Sequence, residues 1–514
     1  MISPAPPADP RTWATRGASF LANRRPTRRG DGNTKDASAQ IAVAAFAVYV
    51  GLALAGGGGR ALSFTYPAGC LVVALFTYAR SPSTYFAFTW WTWLLTPFIR
   101  RVFDLQYGFH PTSLLLLGPL LATTVAVFTV IQRRQMLGSS AHLPFVVAAA
   151  ALAYAYLVGC LRISVPAASY DLLTWLSPLL FGLHIALSWR QFPRLRVSIS
   201  RCVLWGLLVT SSYGIYQFIQ PPLWDRAWVV NAELASVGMP LPYLIRVFST
   251  LNAPGPYATM LVFALLIGIA APQKWRSLPL ALGLIALILT KGRSAWGAFF
   301  VGAVVIQFRQ PLRSLPRQWL ALLAVFLLAA PLVLQPRVLG VLSRRAATVS
   351  NLEQDHSYQT RVGFGRYVVS QLAQKPVGNG LGGAGGASKL VTGGKAGFSF
   401  DSGPLEIFSV MGWIGGSLFS MALLAIILPI VRGRKTRFEP VTSAAVGTVV
   451  ALLAASLFGN VFSGVSGFFF WSAVGIATAG RSYATAADIA LRFDNHPGLP
   501  TRALPLDARQ SPAA

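Results

Sequence analysis

Apolar stretches long enough to cross a lipid bilayer recur along most of this chain, from Ile41 to Ala479. A transmembrane helix needs about 20 predominantly apolar residues, because the hydrocarbon core of a bilayer is roughly 30 Å thick. A helix also satisfies its own backbone hydrogen bonds, which lipid cannot do. Only 11% of the 514 residues are charged, against roughly 25% in a soluble protein. The sequence therefore predicts an all-α polytopic membrane protein.

The apolar stretches predict about 12–14 transmembrane helices, since a short stretch can also be re-entrant or lie at the interface. Candidate spans lie at residues 41–55, 61–79, 84–99, 112–131, 144–161, 172–189, 202–219, 254–271, 277–290, 295–308, 318–335, 403–431, 441–458 and 463–480. They divide the chain into a disordered basic tail (1–38), transmembrane helices (39–335), one large periplasmic loop (336–402), further transmembrane helices (403–481) and a second disordered tail (482–514).

The positive charge follows the loops of a membrane protein. The net charge is +28, but no basic patch interleaved with aromatic residues indicates nucleic acid as a partner. Four short basic loops are predicted to be cytoplasmic, because Lys and Arg are enriched on that face: "SWRQFPRLRVSISR", "PQKWRS", "FRQPLRSLPRQ" and "RGRKTRFEP". Both termini are then cytoplasmic, and residues 220–253, 291–294 and 336–402 lie on the outer face.

One charged pair conflicts with this topology. Arg100 and Arg101, in "FIRRVFDLQYGFHP", fall on the outer face, where arginine is disfavoured. Either these two residues are functional or the early spans are miscounted, and we favour the miscount.

Metal and disulfide chemistry find no support in the sequence. Cys70, Cys160 and Cys202 lie in apolar segments without a pairwise motif, and the five histidines lack metal-ligand spacing. We expect neither a metal nor a cofactor.

A glycine-rich motif lies in the large loop. "GNGLGG", from Gly378 to Gly383, fits the pattern G-x-G-x-x-G. A dinucleotide site needs a strand before this pattern and a helix after it, and here a helix-like segment precedes it and more glycine follows. We interpret it as a flexible turn that closes the loop and permits close approach of the backbone to a ligand.

Arginines on the outer face are candidates for binding phosphate. Arginine stays charged and can bind a phosphate through two parallel N–H bonds. Arg293 lies between two apolar spans, Arg246 lies just before a span, and Arg361 and Arg366 lie in the large loop. Convergence of these residues at the membrane surface would suit a lipid-linked diphosphate. The alternative is that each arginine pairs with lipid headgroups or a nearby acid.

The segment "DSGPLEIFSVMGWIGG" carries two candidate bases, Asp401 and Glu406. Both also fit ordinary chemistry at a helix N-terminus, where acids are favoured and proline occupies the first turn. As a functional alternative, an acid beside an anion-attracting helix N-terminus can act as a general base.

Taken together, these motifs resemble the O-antigen ligase and Wzy-type polymerase superfamily. The similar pieces are "LTKGRSAWGAFFVGAVV", "TRVGFGRYVVSQLAQKPVGNGLGG" and "DSGPLEIFSVMGWIGG", with "RVFSTLNAPGPYA" upstream. They cover roughly residues 240–431, and their order agrees with the family. The first half of the chain matches in hydropathy only.

The resemblance implies glycosyl transfer on the periplasmic face of a bacterial inner membrane, from a glycan linked to undecaprenyl diphosphate. Arg293 and Arg361 match the arginines of the family that hold the diphosphate, and Arg366 and Arg246 are weaker candidates. The donor already stores the energy, so no nucleotide is needed. Asp401 stands where the family has its presumed basic histidine, a departure that puts the ligase assignment in doubt. Glu406 and then His356 are alternative bases.

The leading hypothesis is a membrane polymerase of a surface polysaccharide that works by inverting transfer. The alternatives are ligase-type transfer to an acceptor such as lipid A-core, a transporter or flippase of lipid-linked sugars, and a structural membrane partner of other polysaccharide-assembly proteins. A transporter would place ionisable residues within its spans and would break helices at glycine or proline.

Overall fold

The computed structural model describes residues 29–56, 58–232, 235–309, 376–394, 402–433 and 439–495, together with residues 363, 370, 400 and 436. This part of the chain is helical and contains no β-strand. Its main helices are α1 (Arg29–Ala55), α2 (Leu62–Arg80), α3 (Pro82–Tyr107), α4 (Leu117–Thr124), α5 (Val127–Gln132), α6 (Leu143–Arg162), α7 (Val165–Leu187), α8 (Phe192–Ile219), α9 (Leu223–Asn231), α10 (Pro254–Ile269), α11 (Ser277–Leu289), α12 (Arg293–Arg309), α13 (Gly403–Arg432), α14 (Pro440–Ser456) and α15 (Gly464–Asn495).

Seven described segments are long and apolar enough to cross a membrane, which confirms the prediction of a helical, membrane-embedded protein. They are Thr34–Ala55, Leu62–Arg80, Leu114–Gln132, Leu143–Arg162, Val165–Leu187, Trp189–Ile219 and Gly403–Arg432. Helices α10 and α14 are apolar but shorter. The total of 12–14 crossings stays a prediction, because the candidate span at 318–335 and most of the loop at 336–402 lie outside the described residues.

The basic loops meet at one end of the helix bundle. Arg196, early in α8, pairs with Glu439 just before α14 at 3.2 Å. Arg309, the last residue of α12, donates to the carbonyl of Val431 at 3.0 Å and to the hydroxyl of Thr436 at 2.9 Å. We call this the basic end. Three of the four loops predicted to share one face thus contact one another or a neighbouring helix terminus there.

Arg100 and Arg101 lie at the opposite end. Helix α8 has 28 residues and runs away from the basic end for about 40 Å. Near its far terminus, Gln217 donates to Asp225 of α9 at 2.6 Å, and Asp225 pairs with Arg101 at 3.0 Å. The two arginines therefore lie at the end where the predicted succession of spans places them. The number of early spans stays a prediction, because the segment at 84–99 is not among the seven long apolar segments. Asp104 and Asp225 pair with the two arginines at that end.

Small residues allow the long helices to pack closely. A Cβ atom on Gly182 of α7 would lie 2.5 Å from the carbonyl oxygen of Trp471 in α15, and one on Gly475 would lie 2.4 Å from the oxygen of Gly182. Such contacts between helix backbones are typical of membrane proteins, in which packing rather than water drives helix association.

Two helix bounds differ from the predicted domain limits. Helix α1 begins at Arg29, within the segment predicted to be a disordered first tail, and α15 ends at Asn495, within the predicted second tail.

Candidate functional site

The glycine-rich motif is threaded between helices at the end opposite the basic end. Residues 376–382, which we call the strap, run between α6, α7 and α13. Their main-chain N–H groups donate to acceptors on all three helices: Asn379 to the Ser409 carbonyl at 2.8 Å, Gly380 to the Val410 carbonyl at 2.9 Å, Leu381 to the Ala155 carbonyl at 3.0 Å and Gly382 to Oδ2 of Asp171 at 2.8 Å.

The strap fills a break in helix α13. Gly412 has φ 66° and ψ −168°, which no helix accommodates, so α13 consists of two half-helices. A break of this kind frees backbone groups that lipid cannot satisfy. The strap satisfies them on both sides, because it donates to Ser409 and Val410 and its Pro376 carbonyl accepts from the N–H of Trp413 at 2.8 Å. The break and the strap therefore form one structural unit.

Glycine is required in the strap because other backbones approach too closely for a side chain. A Cβ atom would lie 2.3 Å from the Gly412 nitrogen if added to Gly378, and 2.3 Å from the Gly159 nitrogen if added to Gly380. Both glycines are buried and have positive φ. The expected close backbone approach is present, and the motif lies packed between helices, while its flexibility stays a prediction. The partner is the protein's own chain.

Two carboxylates lie beside the strap. Asp171 of α7 is 9% exposed and accepts hydrogen bonds from the Gly382 N–H and, at 3.1 Å, from the Thr174 hydroxyl. Glu406, in the first turn of α13, is close enough to Asp171 for the two groups to interact electrostatically, and its side chain meets the Asn460 amide. The predicted base Glu406 thus belongs to a pair of acids.

Two cations lie at the same end. The Arg100 side chain is 4% exposed, pairs with Asp104 at 3.2 Å and stacks over Trp228 at 4.8 Å. Lys389, seven residues beyond the strap, is half-buried and close enough to Arg100 for the two charges to interact electrostatically. Burial first, and Arg100 second, lower the pKa of Lys389 below its ordinary value. The two acids and the two cations thus lie at the same end of the bundle, in partly buried positions.

A second network anchors the loop at 220–253. Arg101 and Asp225 have fully buried side chains, and Asp225 also accepts from the Tyr213 hydroxyl at 2.8 Å. Burial raises the pKa of the Asp225 carboxyl, while Arg101 and the hydrogen-bond donors partly offset that rise. Gln217 completes the network, because its Oε1 accepts from the N–H groups of Phe248 and Ser249 at 3.0 and 2.9 Å. These bonds attach the loop to α3 and α8.

The two described arginines predicted to bind diphosphate come into one region. Arg246 donates to the carbonyls of Thr290 at 3.0 Å and Ser236 at 2.7 Å. Thr290 lies three residues before Arg293, which is partly exposed at the start of α12. Arg246 therefore helps to hold the loop in place, and a role in ligand binding stays a prediction for both residues.

Four predicted site residues lie outside the described residues: Asp401, Arg361, Arg366 and His356. Conversely, sequence reasoning missed Asp171 and Lys389 as site residues. Neither residue belongs to a sequence motif: Asp171 borders a candidate span, and Lys389 lies in the large loop. Arg100 and Arg101 did give a signal, namely their conflict with the charge-sorting rule.

Across the described ranges, no three His, Cys, Asp or Glu side chains are grouped so that they could hold a metal ion. Cys70, Cys160 and Cys202 are free thiols. Comparison with known proteins does not name the site, because no family model and no curated protein matches this chain. The function is therefore argued from the residues and their geometry.

Proposed function

We propose that this protein is a membrane polymerase of a surface polysaccharide that transfers a glycan from undecaprenyl diphosphate. The reaction takes place at the end of the bundle opposite the basic end. One observation carries the proposal: the acids Asp171 and Glu406 lie at the same end as the cations Arg100 and Lys389. Transfer from a diphosphate needs a base for the acceptor and positive charge for the leaving group.

Each charged group has one role in the proposed reaction. The acceptor hydroxyl oxygen bonds to the anomeric carbon of the donor sugar from the face opposite the diphosphate, which inverts that carbon. The bond between this carbon and the diphosphate oxygen breaks, and the lipid diphosphate leaves with the electron pair. Glu406 receives the hydroxyl proton. Arg100 and Lys389, with Arg293 and Arg361 as further candidates from the sequence, stabilise the negative charge on the leaving group.

The ligase alternative differs from the polymerase only in its acceptor. The same base and the same cations would serve if the acceptor were lipid A-core rather than a second lipid-linked repeat unit. Asp401, in place of the histidine of the family, favours the polymerase.

A second candidate function is transport of a lipid-linked sugar. The break in α13 at Gly412 favours it, because transporters form their substrate sites from discontinuous helices. The buried Asp171 favours it as well, because ionisable residues within membrane spans mark substrate or ion pathways.

The test is a deletion of the gene in its host, complemented with the wild-type chain, Glu406→Gln or a control variant, Glu439→Gln. Glu439 lies at the basic end and pairs with Arg196. Lipid-linked and surface glycans are separated by size on a gel. We expect single repeat units to accumulate without the gene, and Glu439→Gln but not Glu406→Gln to restore long chains, with both variants present in the membrane.

The gel and a sidedness assay also separate the alternatives. Full-length glycan that stays on the lipid carrier would identify a ligase. Single repeat units that accumulate only in the cytoplasmic leaflet, as detected by a membrane-impermeant oxidant of sugars, would identify a transporter. Unchanged glycans would exclude both enzymatic functions for this glycan.

A further inference from the structure

We propose that Asp171 is a positioning residue. Its hydrogen bond with Gly382, which we call the latch, attaches the strap to α7 and so holds Glu406 in place. This inference rests on the proposed function for the role of Glu406. The latch itself is a statement about the fold and can be tested separately.

Asp171 binds the strap through a side-chain carboxylate. The other strap N–H groups described above donate to main-chain carbonyls, whereas Gly382 donates to a side chain, at 2.8 Å from Oδ2 of Asp171. Hydrogen bonds to a carboxylate are roughly twice as strong as those between neutral groups. The Thr174 hydroxyl lies 3.1 Å from the second carboxylate oxygen and 2.8 Å from the main-chain carbonyl of Asp171, and its one hydrogen is shared between them. Asp171 therefore determines where the strap leaves the helix bundle.

The strap also supports the half-helix that carries the proposed base. The strap donates to the carbonyls of Ser409 and Val410, which lie three and four residues after Glu406. That spacing is one helical turn, so these carbonyls belong to the same short half-helix as Glu406. The half-helix ends at Gly412, and the strap bonds there in place of the next turn. A displaced strap would leave this half-helix without support at its broken end, and Glu406 would move with it.

One side-chain contact between the strap and α13 depends on the position of the strap. Nδ2 of Asn379 lies 3.2 Å from Oγ of Ser409. Cysteines at these two positions can be joined by a short thiol-to-thiol cross-linker when the strap is in place. The three native cysteines are free and can be replaced by alanine.

The first experiment therefore measures the rate of cross-linking by a short bifunctional thiol reagent in the full-length Asn379→Cys/Ser409→Cys protein, without native cysteines, in membranes. Asp171→Ala should slow cross-linking about tenfold, since the lost bond to a charged acceptor corresponds to roughly that factor. Asp171→Asn should stay close to the parent rate, because its amide oxygen still accepts from Gly382. Asp36→Ala, at an exposed position in α1, serves as the matched control. Equal rates for Asp171→Ala and the control would overturn the latch.

The second experiment measures polymer formation with a lipid-linked repeat unit. We expect Asp171→Ala to lower kcat with little change in KM, Asp171→Asn to restore most of the rate, and Glu406→Gln to be inactive with normal cross-linking. If Asp171→Asn is as inactive as Glu406→Gln while its cross-linking is normal, the charge of Asp171 itself takes part and the positioning role is wrong. If the parent chain forms no polymer but Asp171→Ala still slows cross-linking, the latch stands and the proposed function fails.

Discussion

At the scale of single residues, the glycines of the strap are defined by the atoms that surround them. We expect Gly378→Ala to destabilise the protein by about 3 kcal/mol, because its Cβ would overlap the backbone of Gly412 and its φ is 85°. Gly297→Ala, in α12 with nothing within 4 Å of an added Cβ, should be neutral or stabilising by up to about 1 kcal/mol. Thermal unfolding of the detergent-purified protein, followed by loss of the monodisperse peak, measures both. Equal midpoints for the two variants would contradict the packing argument.

The buried pair of Arg101 and Asp225 provides the second prediction. Removal of one partner leaves a buried charge uncompensated, at a cost of about 3–5 kcal/mol. We therefore expect Arg101→Met and Asp225→Leu each to lower the unfolding temperature strongly. The double variant should recover part of the loss, because two apolar side chains leave no unpaired charge. A double variant as unstable as the sum of the singles would show that the pair is not coupled.

Lys389 provides a prediction about pH. Burial and Arg100 lower its pKa, so the folded protein binds this proton less tightly than the unfolded chain does. The contribution of Lys389 to stability therefore rises with pH between the lowered pKa and about 10.4, and is lost as pH falls. Because the neutral amine is the reactive form, acetylation of Lys389 should reach its midpoint below pH 10.4, and Arg100→Gln should move that midpoint upward. Mass spectrometry of pulse-acetylated protein measures it, and a midpoint unchanged by Arg100→Gln would contradict the assigned neighbour.

At the scale of helices, Arg309 joins α12 to the end of α13. It donates to the carbonyls of Val431 and Gly433 and to the hydroxyl of Thr436, and thereby satisfies groups that a helix C-terminus leaves without partners. Loss of these charged bonds in Arg309→Met should cost roughly 1.5–3 kcal/mol or more. Arg196→Met removes an ion pair whose arginine is 40% exposed, and should change the unfolding temperature little. Similar effects of the two substitutions would contradict the role of Arg309.

Hydropathy predicted the positions of the helices well, but it did not predict the break in α13 or the strap that fills it. The apolar segments predicted at 254–271 and 277–290 are observed as the helices Pro254–Ile269 and Ser277–Leu289, because apolar content is a local property of the sequence. Neither helix is among the seven segments long enough to cross a membrane. The strap depends instead on contacts between Gly378 and Gly412, which lie 34 positions apart in the sequence. A pattern of glycines cannot distinguish a mobile turn from backbones in contact, since both require the same residue.

At the scale of the whole molecule, charge predicted which loops share an end, but not which charges are buried. The loops that contain Arg196, Arg309 and Glu439 meet as the positive-inside pattern indicates. The same rule misjudged Arg100 and Arg101, because it counts charges without their partners. Asp104 and Asp225 complete those pairs, and Asp225 lies more than a hundred residues away in the chain. The candidate site depends on long-range contacts such as that between Gly382 and Asp171, so Glu406 alone of its two acids was predicted from the sequence.

The two ends of the bundle lead to the last prediction, which concerns orientation. The proposed transfer requires the strap end to face the periplasm, and the positive-inside bias agrees with that orientation. In a chain without native cysteines, single cysteines at Ser294 and Gly385, both exposed, should react with a membrane-impermeant maleimide in intact cells with a permeable outer envelope. A cysteine at Gln191, exposed near the basic end, should react only after the inner membrane is opened. The reverse pattern would place Asp171 and Glu406 near the cytoplasm, where nucleotide-activated donors are available and a lipid diphosphate donor is not required.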